Sequence, residues 1–109
     1  MAIKVHTIKI APKYLNAVIA GRKKAELRKN DRNYKVGDIL SLKEWKHGKY
    51  TGREYFAVIT HVLPVGEVVT GLEHWVVLSI NAMSVFDVAV YIYKNGRFAQ
   101  LLAGFKNDL

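Results

Sequence analysis

The hydrophobic positions of this chain change period as it runs. From Val5 to Ile10 they alternate with polar ones, V-H-T-I-K-I, the two-residue repeat of a half-buried strand. Pro12 follows where a helix can begin, because its fixed φ suits the first turn and its missing N–H is not needed there. Tyr14, Leu15, Val18 and Ile19 share one helical face, and Gly21 stands where a C-cap glycine would. Lys24 to Arg28 returns to alternation, with Ala25 and Leu27 on one side and Lys24, Glu26 and Arg28 on the other. The simplest reading of that stretch is a half-buried strand with a solvated charged face.

Polar turn formers, Lys29 to Asn33, separate this strand from the next. Val36-Gly37-Asp38 predicts a tight turn into a strand over Ile39 to Trp45, in which Glu44 shares parity with Leu40 and Leu42. His47-Gly48 predicts a second turn, and Tyr50 to Leu63 a long strand or a bent pair, broken by Pro64 and Gly66. Trp75 to Ile80 is a compact apolar strand. Val85 to Lys94 is β-branched and aromatic, Asn95-Gly96 is a strong two-residue hairpin signal, and Arg97 to Leu102 would return beside it. The fold class expected is α+β, mainly β: a small closed or half-closed barrel, one helix after the first strand, and a C-terminal β-hairpin.

Length bounds this to one domain over residues 1–109. The absence of cysteine excludes a disulfide framework and thiolate zinc sites, and it suits a reducing, cytoplasmic setting. Lys4, His6 and Lys9 interrupt any signal-peptide core, and Asn81, Ser84 and Asp87 make Trp75 to Tyr93 a poor membrane span. No membrane partner is expected.

Charge changes the picture more. The net charge is +8. Residues 1–53 hold fourteen Lys and Arg against four acids, whereas residues 54–109 hold three against five. A field confined to one half attracts polyanions, nucleic acid first.

The segment Gly21 to Arg32 concentrates candidate chemistry. Glu26 and Arg28 project from one face of a strand. A carboxylate beside guanidinium and ammonium groups stays ionised and orients them, and arginine's planar fork fits phosphate or a base edge. Trp45 and Tyr50 flank the second turn beside Lys43, Lys46, Lys49 and Arg53. Such aromatics serve either as a base-stacking platform or as packing on a barrel edge. His6, His47, His61 and His74 lack metal-ligand spacing, so no metal is expected, nor any cofactor.

The pattern G-x-K-x-x-E-x-R at Gly21, Lys23, Glu26 and Arg28 resembles the signature of the ASCH domain, a PUA-like β-barrel linked to RNA. The following K-N-D-R, V-G-D at Val36 to Asp38, E-W at Glu44-Trp45 and Y-T-G-R at Tyr50 to Arg53 resemble the DUF3850 group of ASCH-related proteins in phages and bacteria. The resemblance runs over roughly residues 4–80, leaving 81–109 as an extension. It implies that Lys23, Glu26 and Arg28 line a cleft beside the barrel, with Asn30 and Arg32 at its rim. One branch of the superfamily deacetylates acetylated cytidine with this lysine and a threonine three residues later. Here that position is Glu26, and a carboxylate is a poorer acyl acceptor.

Three readings follow. The first is an RNA- or nucleotide-binding module using Lys23, Glu26, Arg28, Lys29, Asn30, Arg32, Trp45, Tyr50 and Arg53. The second is an enzyme acting on RNA or a modified nucleoside, as a ribonuclease or amidohydrolase, with Lys23 and Glu26 catalytic. The third is a small phage-type protein-interaction module.

Overall fold

The computed structural model describes residues 3–95. Five strands, β1 (Val5–Ile10), β2 (Ala25–Lys29), β3 (Ile39–Lys46), β4 (Lys49–Pro64) and β5 (Trp75–Met83), make one sheet in the order β1-β3-β4-β5-β2. The β1–β3 pair is parallel and the other pairs are antiparallel. The sheet curls into a half-barrel. A bulge on β4 between Ile59 and His61 leaves Thr60 unopposed, and bulges increase local bend and twist.

Helix α1 (Pro12–Ile19) follows β1, as its sequence predicted. Leu15 and Val18 are its buried residues, while Tyr14 and Ile19, expected on the same face, are largely exposed. The helix is short, and Leu15 and Val18 join the core cluster that includes Leu40, Leu42, Ile59 and Leu78. It ends in a Schellman arrangement: Gly21 (φ +77) donates to Val18 O at 3.0 Å and Arg22 donates to Ala17 O at 2.9 Å. That turn aims the chain at Lys23.

At the β3–β4 connection His47 (φ 52) and Gly48 (φ 79) close a two-residue turn between the paired Lys46 and Lys49. Two positive φ values are what a type I′ hairpin requires. The long strand expected from Tyr50 to Leu63 is a single, bulged β4.

The C-terminal hairpin is corrected by the structure. Val85–Asn95 is a helix, α2. Ser84 Oγ accepts the Asp87 N–H at 3.1 Å while Asp87 Oδ2 accepts the Ser84 N–H at 3.1 Å. This reciprocal capping box, with Asp87 at the positive end of the helix and Lys94 in its last turn, outweighs the β-branched composition. Tyr91 Oη donates to Gly37 O at 2.8 Å and ties α2 to the loop before β3. The return arm, Arg97 to Leu102, lies outside the described residues. No described helix is long and apolar enough to cross a membrane.

Candidate functional site

Strand β2 is oriented against its own hydrophobicity. Glu26 faces Leu78 and Arg28 faces Val76 in the β2–β5 register, and both partners are core residues. Glu26 is therefore 7% exposed, whereas Leu27, on the opposite side, is 59% exposed. Of the charged face that simple alternation suggested, Glu26 is turned inward, Arg28 is half-buried and Lys24 stays exposed. Burying a carboxylate is costly unless cations and hydrogen bonds compensate it.

They do so here. Lys23 Nζ lies 2.6 Å from Glu26 Oε1 and also donates to Ala25 O. Arg28 Nη2 and Nε lie 3.0 and 3.3 Å from Glu26 Oε2. Arg28 Nη2 further donates to Lys9 O at 2.8 Å, and Arg32 Nη1 donates to Thr7 O. Strands β1 and β2 are the two edges of the sheet and share no ladder. The two arginines bridge this seam by side chain alone.

A cavity of ≈ 250 Å³ opens at the seam, lined by Ile8, Leu27, Arg28, Lys29, Asp31, Arg32, Tyr34 and Trp75. Arg28 Nη1 and Arg32 Nη2 carry no hydrogen bond among the described residues. Burial pushes the Tyr34 hydroxyl above its ordinary 10.0, opposed by the positive charge of Arg32. The cavity thus combines unspent guanidinium donors with aromatic and aliphatic walls, a lining suited to an anion carried on a flat ring.

A second buried carboxylate, Glu44, sits opposite Ile10 at the end of β1. Thr51 Oγ1 donates to its Oε1 at 2.8 Å, and Arg53 Nη2 and Nε reach its Oε2 at 2.6 and 3.0 Å. Arg53 Nη2 also reaches Asn16 Oδ1 of α1 at 2.6 Å. The Thr51 hydrogen bond first, and the Arg53 hydrogen bond next, hold the Glu44 carboxyl below the usual carboxylate range. The backbone explains this geometry. Between the pairs Lys43↔Glu54 and Trp45↔Tyr50, the single residue Glu44 lies opposite Thr51, Gly52 and Arg53. Gly52 adopts φ +95, which lets the side chains on both sides of it turn onto one carboxylate. Beyond this bulge Trp45 and Tyr50 pack edge to face, ring centroids 4.9 Å apart at 82°, and Lys9 Nζ sits 3.9 Å from the Trp45 ring centre.

Comparison with known proteins gives this arrangement a family. Residues 5–80 match the domain of unknown function DUF3850. The chain belongs to the DUF3850 family. It is 45% identical over 78 residues to an uncharacterized 12.9 kDa protein in the GpA 3′ region of Escherichia phage P2, covering 72% of this chain and 69% of that one. A solved structure of the hypothetical protein PH0355 covers 74% of this chain and all of its own at a TM-score of 0.48 and 18% identity.

Both carboxylate clusters and the aromatic pair fall inside the DUF3850 match, and α2 lies beyond it. The structure brings Lys23, Glu26 and Arg28 together, with Arg32 beside them at the seam. Lys29 lines the cavity from the outward face of β2. Asn30 shapes the loop: its Oδ1 accepts the Tyr34 N–H at 3.2 Å and its N–H donates to His74 O at 2.8 Å. Trp45 and Tyr50 pair with each other, and Arg53 belongs to Glu44 rather than to the Glu26 cluster. Lys9, Asn16 and Thr51 were not singled out by sequence reasoning. The Y-T-G-R motif held the signal for Thr51, because a glycine between two polar residues in a strand marks a bulge. Nothing local points to Lys9 or Asn16, whose partners are remote in sequence. His6, 2.8 Å from Asp38 Oδ2, pins β1 to the turn before β3. Among the described residues, no three His, Asp or Glu side chains converge as a metal site requires.

Proposed function

We propose that this DUF3850 protein binds nucleic acid, RNA in particular, through the β1–β2 seam, as an ASCH-type PUA-like module. The inverted polarity of β2 carries the reading. A strand that buries Glu26 and exposes Leu27 gathers Lys23 and Arg28 on one carboxylate, and Arg28 also lines the seam cavity. The free guanidinium donors supply phosphate contacts, and the buried carboxylate orients Arg28. The basic first half of the chain supplies the long-range attraction. With an RNA partner goes a cytoplasmic site of action. A hydrolytic role has weaker support, because neither Lys23 nor Glu26, the two residues it would use, lines the seam cavity.

Titration of a labelled single-stranded RNA across a salt series tests this. Affinity falls with salt at a log–log slope of about −0.7 per phosphate contact. Arg28→Ala and Lys29→Ala weaken binding, and Arg32→Ala makes the slope shallower. RNA affinity unaltered in Arg28→Ala and Lys29→Ala would put the binding face elsewhere.

A further inference from the structure

We infer that the ligand is an unpaired polynucleotide strand that holds a phosphate at the β1–β2 seam and stacks a base on Tyr50. The inference rests on the reading of the seam as a nucleic-acid site, and adds a second contact point and a strand requirement.

Lys9 joins the two places. Its carbonyl oxygen accepts Arg28 Nη2 at 2.8 Å, and its ammonium lies 3.9 Å from the Trp45 ring centre. One residue therefore spans from the seam to the aromatic hairpin, a path that linked nucleotides can follow.

The two aromatic rings have different tasks. Trp45 is half-buried and clamped between Lys9 and the Tyr50 ring. Tyr50 is 50% exposed. The edge-to-face contact with Trp45 fixes the Tyr50 ring, and the His47-Gly48 type I′ turn holds the hairpin that carries it. A pre-oriented, half-exposed ring is what base stacking uses, at little entropic cost on binding. Trp45 is the positioning residue and Tyr50 the stacking one.

The surrounding charge asks for an anion. Lys9 stands directly opposite Lys43 in the β1–β3 register, and Lys46 directly opposite Lys49 at the hairpin tip. Like charges at opposed strand positions repel. Two such pairs beside one aromatic platform are relieved by a polyanion lying along them. A base already stacked on both faces within a duplex has no face left for Tyr50, so the strand must be unpaired at that point.

Fluorescence anisotropy with a labelled single strand, the same strand annealed to its complement, and a labelled mononucleotide tests the inference on the full chain. Tyr50→Ala lowers single-strand affinity by about 5- to 150-fold, the range expected for loss of one stacked base. Tyr50→Phe keeps wild-type affinity, and Tyr50→Ala keeps the wild-type salt slope, because no phosphate contact is lost. Duplex binds more weakly and does not respond to Tyr50→Ala. Running the single strand as RNA and as DNA identifies the sugar, and the Tyr50 dependence is expected in whichever binds. If Tyr50→Ala binds the strand as wild type does while Arg28→Ala weakens it, the stacking inference fails and the seam reading stands. Duplex binding as tight as single-strand binding also overturns it. If the wild-type protein binds none of the three, both fall.

Discussion

Glu26 stands directly opposite Leu78, so a carboxylate occupies a row of the sheet that is otherwise hydrophobic core. Its cost is offset by Lys23 and Arg28, and the compensation is reciprocal: removing the carboxylate strands two cations. Glu26→Ala is expected to destabilise the fold by about 1–3 kcal/mol, the range for losing charged hydrogen bonds at a buried position. Glu26→Leu is expected to cost less, because its side chain joins Leu78 while Lys23 and Arg28 reach for water. Urea denaturation of the three proteins gives the comparison. A Glu26→Leu variant less stable than Glu26→Ala would mean that the position does not belong to the core face.

The outward side of the same strand makes the converse prediction. Leu27 is exposed and Leu78 fully buried, although both are leucines at paired strands of one sheet. Leu27→Lys is expected to change stability by no more than about 0.5 kcal/mol, as surface substitutions do. Leu78→Ala is expected to cost about 2–5 kcal/mol from lost transfer energy and the cavity left behind. Equal losses for the two would refute the inverted orientation of β2.

These two leucines also show what the sequence could and could not disclose. Alternation over Lys24 to Arg28 correctly separates Glu26 and Arg28 from Leu27, because strand parity is a local property. Which side faces the core is a tertiary matter. It is settled by β2 pairing with β5 at the edge of the curl and by the long-range contacts of Arg28 and Arg32 with β1. The inward parity of Glu44 was legible from Leu40 and Leu42, and the His47-Gly48 turn from its composition. The pairing of Arg53 with Glu44 was not, since a bulge with three residues opposite one removes the regular register that parity arguments need. At Val85 to Asn95 two local signals conflicted. The β-branched run suggested a strand, whereas Ser84-Val85-Phe86-Asp87 carries the spacing of a capping box, and the hydrogen-bonded cap decided for helix.

The depressed carboxyl of Glu44 ties stability to acid pH. Hydrogen bonds from Thr51 and Arg53 favour its ionised form in the folded protein, so its folded pKa lies below the ordinary 4.5. The contribution is therefore fully present above 4.5 and is lost as pH falls through the depressed folded value. Glu44→Gln cannot ionise and lacks this share at every pH. Urea midpoints measured from neutral pH downward should show wild type losing its advantage over Glu44→Gln in the acid range, with the two curves converging. A difference that stays constant with pH would mean that the Glu44 ionisation is not linked to folding. Thr51→Val, which removes the hydrogen bond from the side chain, should move the convergence to higher pH.

The cap of α2 offers a test confined to one element. Ser84 satisfies the Asp87 N–H, and Asp87 answers at the Ser84 N–H, so the helix start depends on two side chains within one turn. Ser84→Ala removes one of these bonds and is expected to cost the helix about 0.5–2 kcal/mol. Helix α2 buries none of its residues and rests on the body through contacts such as Tyr91 Oη to Gly37 O. The loss should therefore appear as local opening rather than global unfolding. Amide hydrogen exchange should accelerate over Val88 to Ile92 in Ser84→Ala, by about 2- to 30-fold for that cost. Exchange in β3 and β5 should stay as it is. Ser84→Asp, which keeps a capping oxygen, should restore slow exchange. A segment that pairs as a strand would ignore the cap, so exchange unaffected by Ser84→Ala would return this tract to the hairpin its composition suggested.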